Sequence, residues 1–454
     1  MSSFISHNPY TLDTYREYKA LSREEILQKL EQSANSYRIW SGMPLETRIQ
    51  HLEQVPEVLK ARKKDLAAAM VREMGKPYKQ AVAEVEKCAW LCEYFLDQGP
   101  QLLKKEIVKT EYSESYIQYD PIGAVLGIMP WNFPFWQVFR FAFPALVAGN
   151  VALLKHAPNV PECALLIEQL FLDASGMDHL FINLFAEVED IPDIIDHRSV
   201  AGVAVTGSYR AGSAVAEQAG KNIKPTTLEL GGSDAFIICA SADLEKAAKD
   251  AVDARMKNSG QTCIAAKRII VVEEVYEKVK PLLLDRFSQL QTGDPMDEKT
   301  DLGPQARKDL LDKYQKQVQS TLDYGAKQIL TMEVPEQGYF AQPVFLEDIP
   351  DNAPAAREEI FGPCLSLFKA RDAEHAVQIA NDSRYALGTA IYSGDLGEAK
   401  QMATQLHSGA ITINKIVSSD PRLPFGGNKD SGYGRELGRE GLLHFTNKKS
   451  IVIS

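Results

Sequence analysis

Glu229 and Cys263 stand 34 residues apart, and glycine sits close to both: Leu228-Glu229-Leu230-Gly231-Gly232 and Asn258-Ser259-Gly260-Gln261-Thr262-Cys263. A cysteine after a Gly-bearing turn offers a sulfur nucleophile, and a glutamate closing a short apolar run offers a carboxylate base. If both face one pocket, they permit covalent catalysis at a carbonyl, completed by water. The other five cysteines (Cys88, Cys92, Cys163, Cys239, Cys364) have no metal-type spacing and read as small buried residues of a reducing compartment.

Four further segments carry groups suited to such chemistry. In Pro130-Trp131-Asn132-Phe133-Pro134 two prolines stiffen the backbone around an amide donor, which a developing oxyanion needs. The same Asn132 could equally satisfy loop carbonyls. Val205-Thr206-Gly207-Ser208 ends an apolar run and opens a helical one, presenting backbone N–H groups as a phosphate site does, or forming an ordinary strand–helix turn. It is not Gly-x-Gly-x-x-Gly. Lys155 closes another apolar run, where open α/β sheets bind ligands, and Glu359 precedes Ile360-Phe361-Gly362-Pro363, where a carboxylate could accept ribose hydroxyls. Each of the last two also reads as a surface charge.

The elements that must position these groups follow from periodicity. Residues 22–105 read as helices, begun by a capping signal at Ser22-Arg23-Glu24-Glu25. From 122 to about 230, apolar runs at 124–128, 151–154, 181–185 and 202–205 alternate with helical periodicity at 160–174 and 209–220, the form of a parallel sheet. A second α/β region has strands at 235–239, 269–272, 344–346, 365–368 and 410–414, separated by helices near 243–257, 274–290, 306–324 and 373–381. Segments 107–120 and 446–454 read as exposed strands that could pair across subunits. With 454 residues and a formal charge of −11, the chain suggests about three folding units and argues against nucleic-acid binding. Prolines, Asn132, Arg140 and Asn150 interrupt the apolar stretch 122–154, so no membrane span is expected. No secretory signal is visible at the N-terminus, which points to the cytoplasm.

With these segments assembled, the chain resembles the aldehyde dehydrogenase superfamily over essentially its whole length. Seven motifs occur in the family's order, among them Pro130 to Pro134, Leu154-Lys155, Thr206 to Ser208, Leu228 to Gly232, Gly260 to Cys263, Glu359 to Pro363 and Pro424 to Gly427. The tail of these motifs is most similar to the shorter bacterial succinate-semialdehyde dehydrogenases. The resemblance implies an α/β fold with a Rossmann-type dinucleotide-binding domain (1–106 and 122–230), an α/β catalytic domain (231–427) and a β-strand oligomerisation arm (107–121 and 428–454), assembled as a homodimer or homotetramer. It implies Cys263 as nucleophile, Asn132 with the Cys263 N–H as oxyanion site, and Glu229 as base for the hydrolytic water. Trp131, Lys155, His156, Ala157, Pro158, Gly207, Ser208, Leu230, Glu359 and Phe361 would line the cofactor site. Pro158 replaces the glutamate that excludes a 2′-phosphate in some relatives, so NAD and NADP should both serve. Ala265 stands where some relatives carry a second cysteine, so a disulfide switch is not expected.

The substrate implied is a small aldehyde, succinate semialdehyde foremost, whose distal carboxylate requires a cation. Arg140 matches the family's substrate arginine, Lys257 replaces a second one, and Arg422 is a further candidate. Competing expectations are another aldehyde or amino aldehyde, transfer of the acyl group to CoA, or a catalytically silent binding relative. Retention of Glu229 and Cys263 speaks against the last two.

Overall fold

The computed structural model describes residues 3–454. Five helices fill the predicted helical region: Arg23–Gly42, Leu45–Leu52, Gln54–Ala61, Lys63–Met74 and Tyr78–Leu102. Ser22 starts the first as expected, its hydroxyl accepting the Glu25 N–H while the Glu25 carboxylate accepts the Ser22 N–H. A hairpin, Ser3–His7 with Thr14–Lys19, precedes them; its mixed polarity had concealed it.

Two sheets form the body. The first has six strands in the order Gly432–Tyr433, Thr226–Glu229, Val200–Thr206, Ala124–Met129, Val151–His156, Phe181–Asn183, parallel except at the Gly432–Tyr433 edge. The second has seven, in the order Lys327–Thr331, Val344–Glu347, Cys364–Ala370, Ala266–Val272, Asp234–Ile238, Gly388–Tyr392, Ala410–Ile413, with only Lys327–Thr331 antiparallel. The central strands Val151–His156, Asp234–Ile238 and Ala266–Val272 are buried at every position. Helices cover both faces, so the apolar runs are continuous rather than alternating. Asn132, Thr206 and Glu229 lie at or just beyond the carboxyl ends of first-sheet strands, where such sheets bind ligands.

The two exposed strands do not wait for another subunit. Thr446–Ile453 pairs antiparallel with Glu114–Pro121 of the same chain, from Thr446 opposite Pro121 to Ile453 opposite Glu114. Glu106–Ile107 completes this three-stranded sheet. Not all of 428–454 lies in this three-stranded sheet: Gly432–Tyr433 joins the first sheet beside Glu229, and helix Gly438–His444 packs on Trp136–Val147. Among the described residues, no helix is long and apolar enough to cross a membrane.

Asn150 ties the arm to the first sheet. Its carbonyl accepts the N–H groups of Ile122 (2.8 Å) and Gly123 (3.2 Å), and its amide donates to the Phe445 carbonyl (2.9 Å). Asn150→Ala should strand three buried backbone groups at about 1–3 kcal/mol each. A melting temperature several degrees lower is expected, measured by calorimetry; an unchanged value would remove Asn150 from this role.

Candidate active site

Cys263 follows an unusual piece of backbone. Asn258, Ser259 and Gly260 take φ of 54°, 54° and 75°, three successive left-handed residues just before Cys263. Non-glycine residues there cost about 1–3 kcal/mol each, so the surroundings must hold them. They do. Asn258 donates through Nδ2 to the carbonyls of Asn132 (2.9 Å) and Gln261 (3.2 Å), and the Gln80 carbonyl oxygen accepts the Asn258 N–H at 2.7 Å. Ser259 Oγ accepts the Gly303 N–H at 2.9 Å. Buried Arg255 spreads its guanidinium over the carbonyls of Gly260, Ile360, Gly362 and Cys364, stitching this loop to the one carrying Glu359.

Asn132 approaches from the first sheet. Its Nδ2 donates to the Gln261 carbonyl at 3.1 Å, so one amide hydrogen satisfies a loop carbonyl and the other stays free for an oxyanion. Glu84 fixes this segment: one carboxylate oxygen accepts the N–H groups of Phe135 and Trp136 at 3.0 Å each, and the other pairs with buried Lys76. The Lys76 ammonium also lies 3.7 Å from the Phe133 ring centre.

Glu229 ends strand Thr226–Glu229, 2% exposed, with Oε1 lacking any partner. Burial pushes its carboxyl well above the usual range; Arg140 opposes this and Glu436 reinforces it. Burial likewise pushes the Cys263 thiol up to about 11, against Lys267 and Arg140. Titratable groups perturbed in this way gather at functional sites. The Phe425-Gly426-Gly427 turn makes the room: a Cβ on Gly426 would lie 2.6 Å from Glu229 Oε1.

Two cavities meet here, and among the described residues only Cys263 and Gln137 line both. One, about 190 Å³, is bounded by Trp131, Asn132, Gly207, Ser208, Glu229 and Glu359, with Leu230, Gly231 and Phe361 also on its wall. Trp131 meets Phe361 edge to face at 5.9 Å. Open space lies over Gly207, whose N–H bonds the Glu229 carbonyl, and Ser208 caps helix Tyr209–Lys221. Lys155, mostly buried, makes no ion pair among the described residues, and desolvation lowers its pKa. A pyrophosphate at a helix start, a carboxylate for ribose and an uncompensated cation fit a dinucleotide. Ala157 is half-buried and Pro158 exposed beside Lys155. His156 is a correction. Its buried ring gives Nε2–H to the Pro134 carbonyl at 2.9 Å and accepts the Ala157 N–H on Nδ1, and desolvation lowers its pKa to about 4. It braces the Asn132 segment as a neutral imidazole, with both ring nitrogens taken up by backbone groups.

The second cavity, about 420 Å³, contains Lys87, Lys257, Arg140 and Phe425 along with Cys263. Arg140 has its guanidinium paired with buried Glu436, and it donates to Thr206 Oγ1 at 3.3 Å, so its charge is already matched. Arg422 is a second correction: 62% exposed, it forms a two-pronged pair with Asp420 and lies over Trp90 outside the cavity. Lys257 reaches the cavity with no carboxylate partner among the described residues, and desolvation lowers its pKa. Lys87, which the sequence did not single out, donates to Ser419 Oγ at 2.9 Å above the Trp136 ring. Burial, with Lys257 nearby, lowers its pKa to about 7. Its helical register, one turn after Glu84, was the only clue.

Comparison with known proteins places these features in a family. The aldehyde dehydrogenase family profile matches residues 2–451. The probable NADP(+) succinate-semialdehyde dehydrogenase of Synechocystis is 42% identical over 448 residues, covering 98% of this chain and 99% of that protein. The Escherichia coli succinate semialdehyde dehydrogenase Sad, named for NAD(P)+, is also 42% identical over 448 residues, covering 98% and 97%. The crystal structure of Streptococcus pyogenes succinic semialdehyde dehydrogenase with NADP+ superposes with a TM-score of 0.97 at 35% identity, covering 99% of each chain.

Gly426→Ala should crowd Glu229 while leaving Cys263 in place. Steady-state turnover is expected to fall at least about tenfold, with Cys263 alkylation by iodoacetamide within about twofold of wild type. Full turnover in this variant would separate the glycine from the carboxylate.

Proposed function

This chain belongs to the aldehyde dehydrogenase family, and on that footing we propose that it oxidises succinate semialdehyde to succinate, using NADP+ or NAD+. The observation carrying this reading is that Cys263 is reached from both cavities, one suited to a dinucleotide and the other holding two lysines without carboxylate partners. The semialdehyde carboxylate would lie toward Lys87 and Lys257, with its carbonyl at Cys263. Arg140 would then act beside Glu229 and Glu436 more than on the substrate.

The Cys263 thiolate adds to the aldehyde carbon, and the oxyanion is held by the free Asn132 amide hydrogen and the Cys263 N–H. A bound dinucleotide supplies the hydride acceptor for this carbon. The resulting thioester is attacked by water that gives its proton to Glu229, and the Cys263 thiolate leaves. Aldehyde, NAD(P)+ and water thus become carboxylate, NAD(P)H and two protons. Trp131, Gly207, Ser208, Leu230, Glu359 and Phe361 would hold the dinucleotide, with Lys155 at its adenosine end. No acidic side chain stands at Pro158 to repel a 2′-phosphate, which supports use of both cofactors. The free edge of Thr446–Ile453 would seat a second copy, giving a cytoplasmic homodimer or homotetramer.

Cys263→Ala should abolish NAD(P)H formation at 340 nm. Across aldehydes, Lys87→Met and Lys257→Met are expected to raise KM for succinate semialdehyde at least about tenfold more than for butanal; equal effects would move the carboxylate elsewhere. The NAD-to-NADP ratio of kcat/KM should lie below about a thousandfold, ~4 kcal/mol, and a larger NAD preference would contradict the Pro158 reading. Cys263 and Glu229 act deprotonated and burial raises both, so kcat/KM for butanal, which does not need the Lys87 and Lys257 charges, should climb from pH 7 to pH 9. A profile flat over that span would contradict the assignment.

A further inference from the structure

Lys267 is the second residue of the buried strand Ala266–Val272, four residues after Cys263, and its side chain is only 2% exposed. Its ammonium donates to the carbonyl oxygens of Thr262 at 2.8 Å and Cys263 at 2.5 Å, and lies 3.2 Å from Glu359 Oε1. Three donors therefore have three acceptors, two on the nucleophile's own loop and one on the dinucleotide cavity. Glu359 Oε1 also accepts the Gly232 N–H at 3.1 Å, which leaves Oε2 for a ligand. A buried ammonium is costly unless fully partnered, and here the partnering places a positive charge directly behind the Cys263 peptide.

We propose that Lys267 is a positioning residue that locks the Cys263 loop to the Glu359 carboxylate and supplies the positive charge favouring the Cys263 thiolate. This rests on Cys263 as the nucleophile and Glu359 as the ribose carboxylate. Several charges face the sulfur. Lys267 and Arg140 favour the thiolate, Glu359 and Asp234 oppose it, and Glu229 shares its cavity. Glu359 thus works in two ways: it repels the thiolate and partly neutralises Lys267. A ligand that engages Glu359 would release part of the Lys267 charge to the sulfur, so the lysine links occupancy of one cavity to reactivity at the junction.

The test reads the sulfur without aldehyde or dinucleotide, so its outcome is independent of whether the proposed oxidation occurs. Cys263 is the one cysteine not fully buried, so iodoacetamide alkylation reports on it. At pH 8, Lys267→Met should alkylate about tenfold more slowly than wild type, corresponding to a thiol pKa about one higher, while Lys267→Arg stays within about threefold. Glu359→Gln should alkylate at least about threefold faster, the opposite sign. Wild-type rates across pH in a folded Lys267→Met protein would overturn the proposal. So would a Glu359→Gln protein no faster than wild type, which decides the matter alone if Lys267→Met does not fold. Loss of oxidation in Cys263→Ala bears on the function and leaves these rates untouched.

Discussion

A backbone that three consecutive left-handed residues turn into the site must be held against its own preference, and the rest of the active centre depends on that restraint. Asn258, Ser259 and Gly260 are held in this conformation from outside the loop: the Gln80 side-chain oxygen accepts the Asn258 N–H, the Gly303 N–H meets Ser259 Oγ, Gln305 donates to the Ser259 carbonyl and Arg255 to the Gly260 carbonyl. Arg255 is the central clamp, with donors on carbonyls of two loops. Asn258 closes the circle by bonding the Asn132 carbonyl, so the Asn132 amide and the Cys263 loop, the proposed oxyanion donor and nucleophile, are parts of one hydrogen-bonded unit. Preorganised donors of this kind need no rearrangement as charge develops.

The second constraint is desolvation. Beside Cys263, the buried side chains of Glu229, Glu436, Asp234 and Arg140 crowd a region with little access to water, where charges interact strongly and unpaired ones are expensive. The fold meets this by pairing Arg140 with Glu436, Lys76 with Glu84 and Lys267 with Glu359. Cys263 and Glu229, the two groups that change protonation in the proposed reaction, have no such partner, and the lack of a side chain at Gly426 leaves room for the Glu229 carboxylate.

Much of the architecture was legible. Runs at 151–154, 235–239 and 365–368 became strands within a few residues because fully buried parallel strands are continuously apolar. Gly388–Tyr392 and the Ser3–His7 hairpin were missed: the first is short and interrupted, the second carries polar residues on an exposed ribbon. The motif residues Cys263, Asn132, Gly207 and Glu359 converge on one cavity, and each lies in a loop between elements that carries a local signature. Lys87, Gln137, Lys267 and Glu436 carry none. Their roles depend on what faces them across the junction, which helical or strand periodicity does not encode.

By itself the sequence determined the kinds of chemical group present, the order of strands and helices that carry them, and the family resemblance resting on that order. Only the tertiary structure decided which cations are spent and which are free. Arg140 is neutralised by a glutamate 296 positions later (140 to 436) and Arg422 by its neighbour Asp420, while Lys87 and Lys257 remain unmatched. Charge pairing depends on distance and burial in space, and both are set by the docking of two sheets that no local stretch of chain specifies.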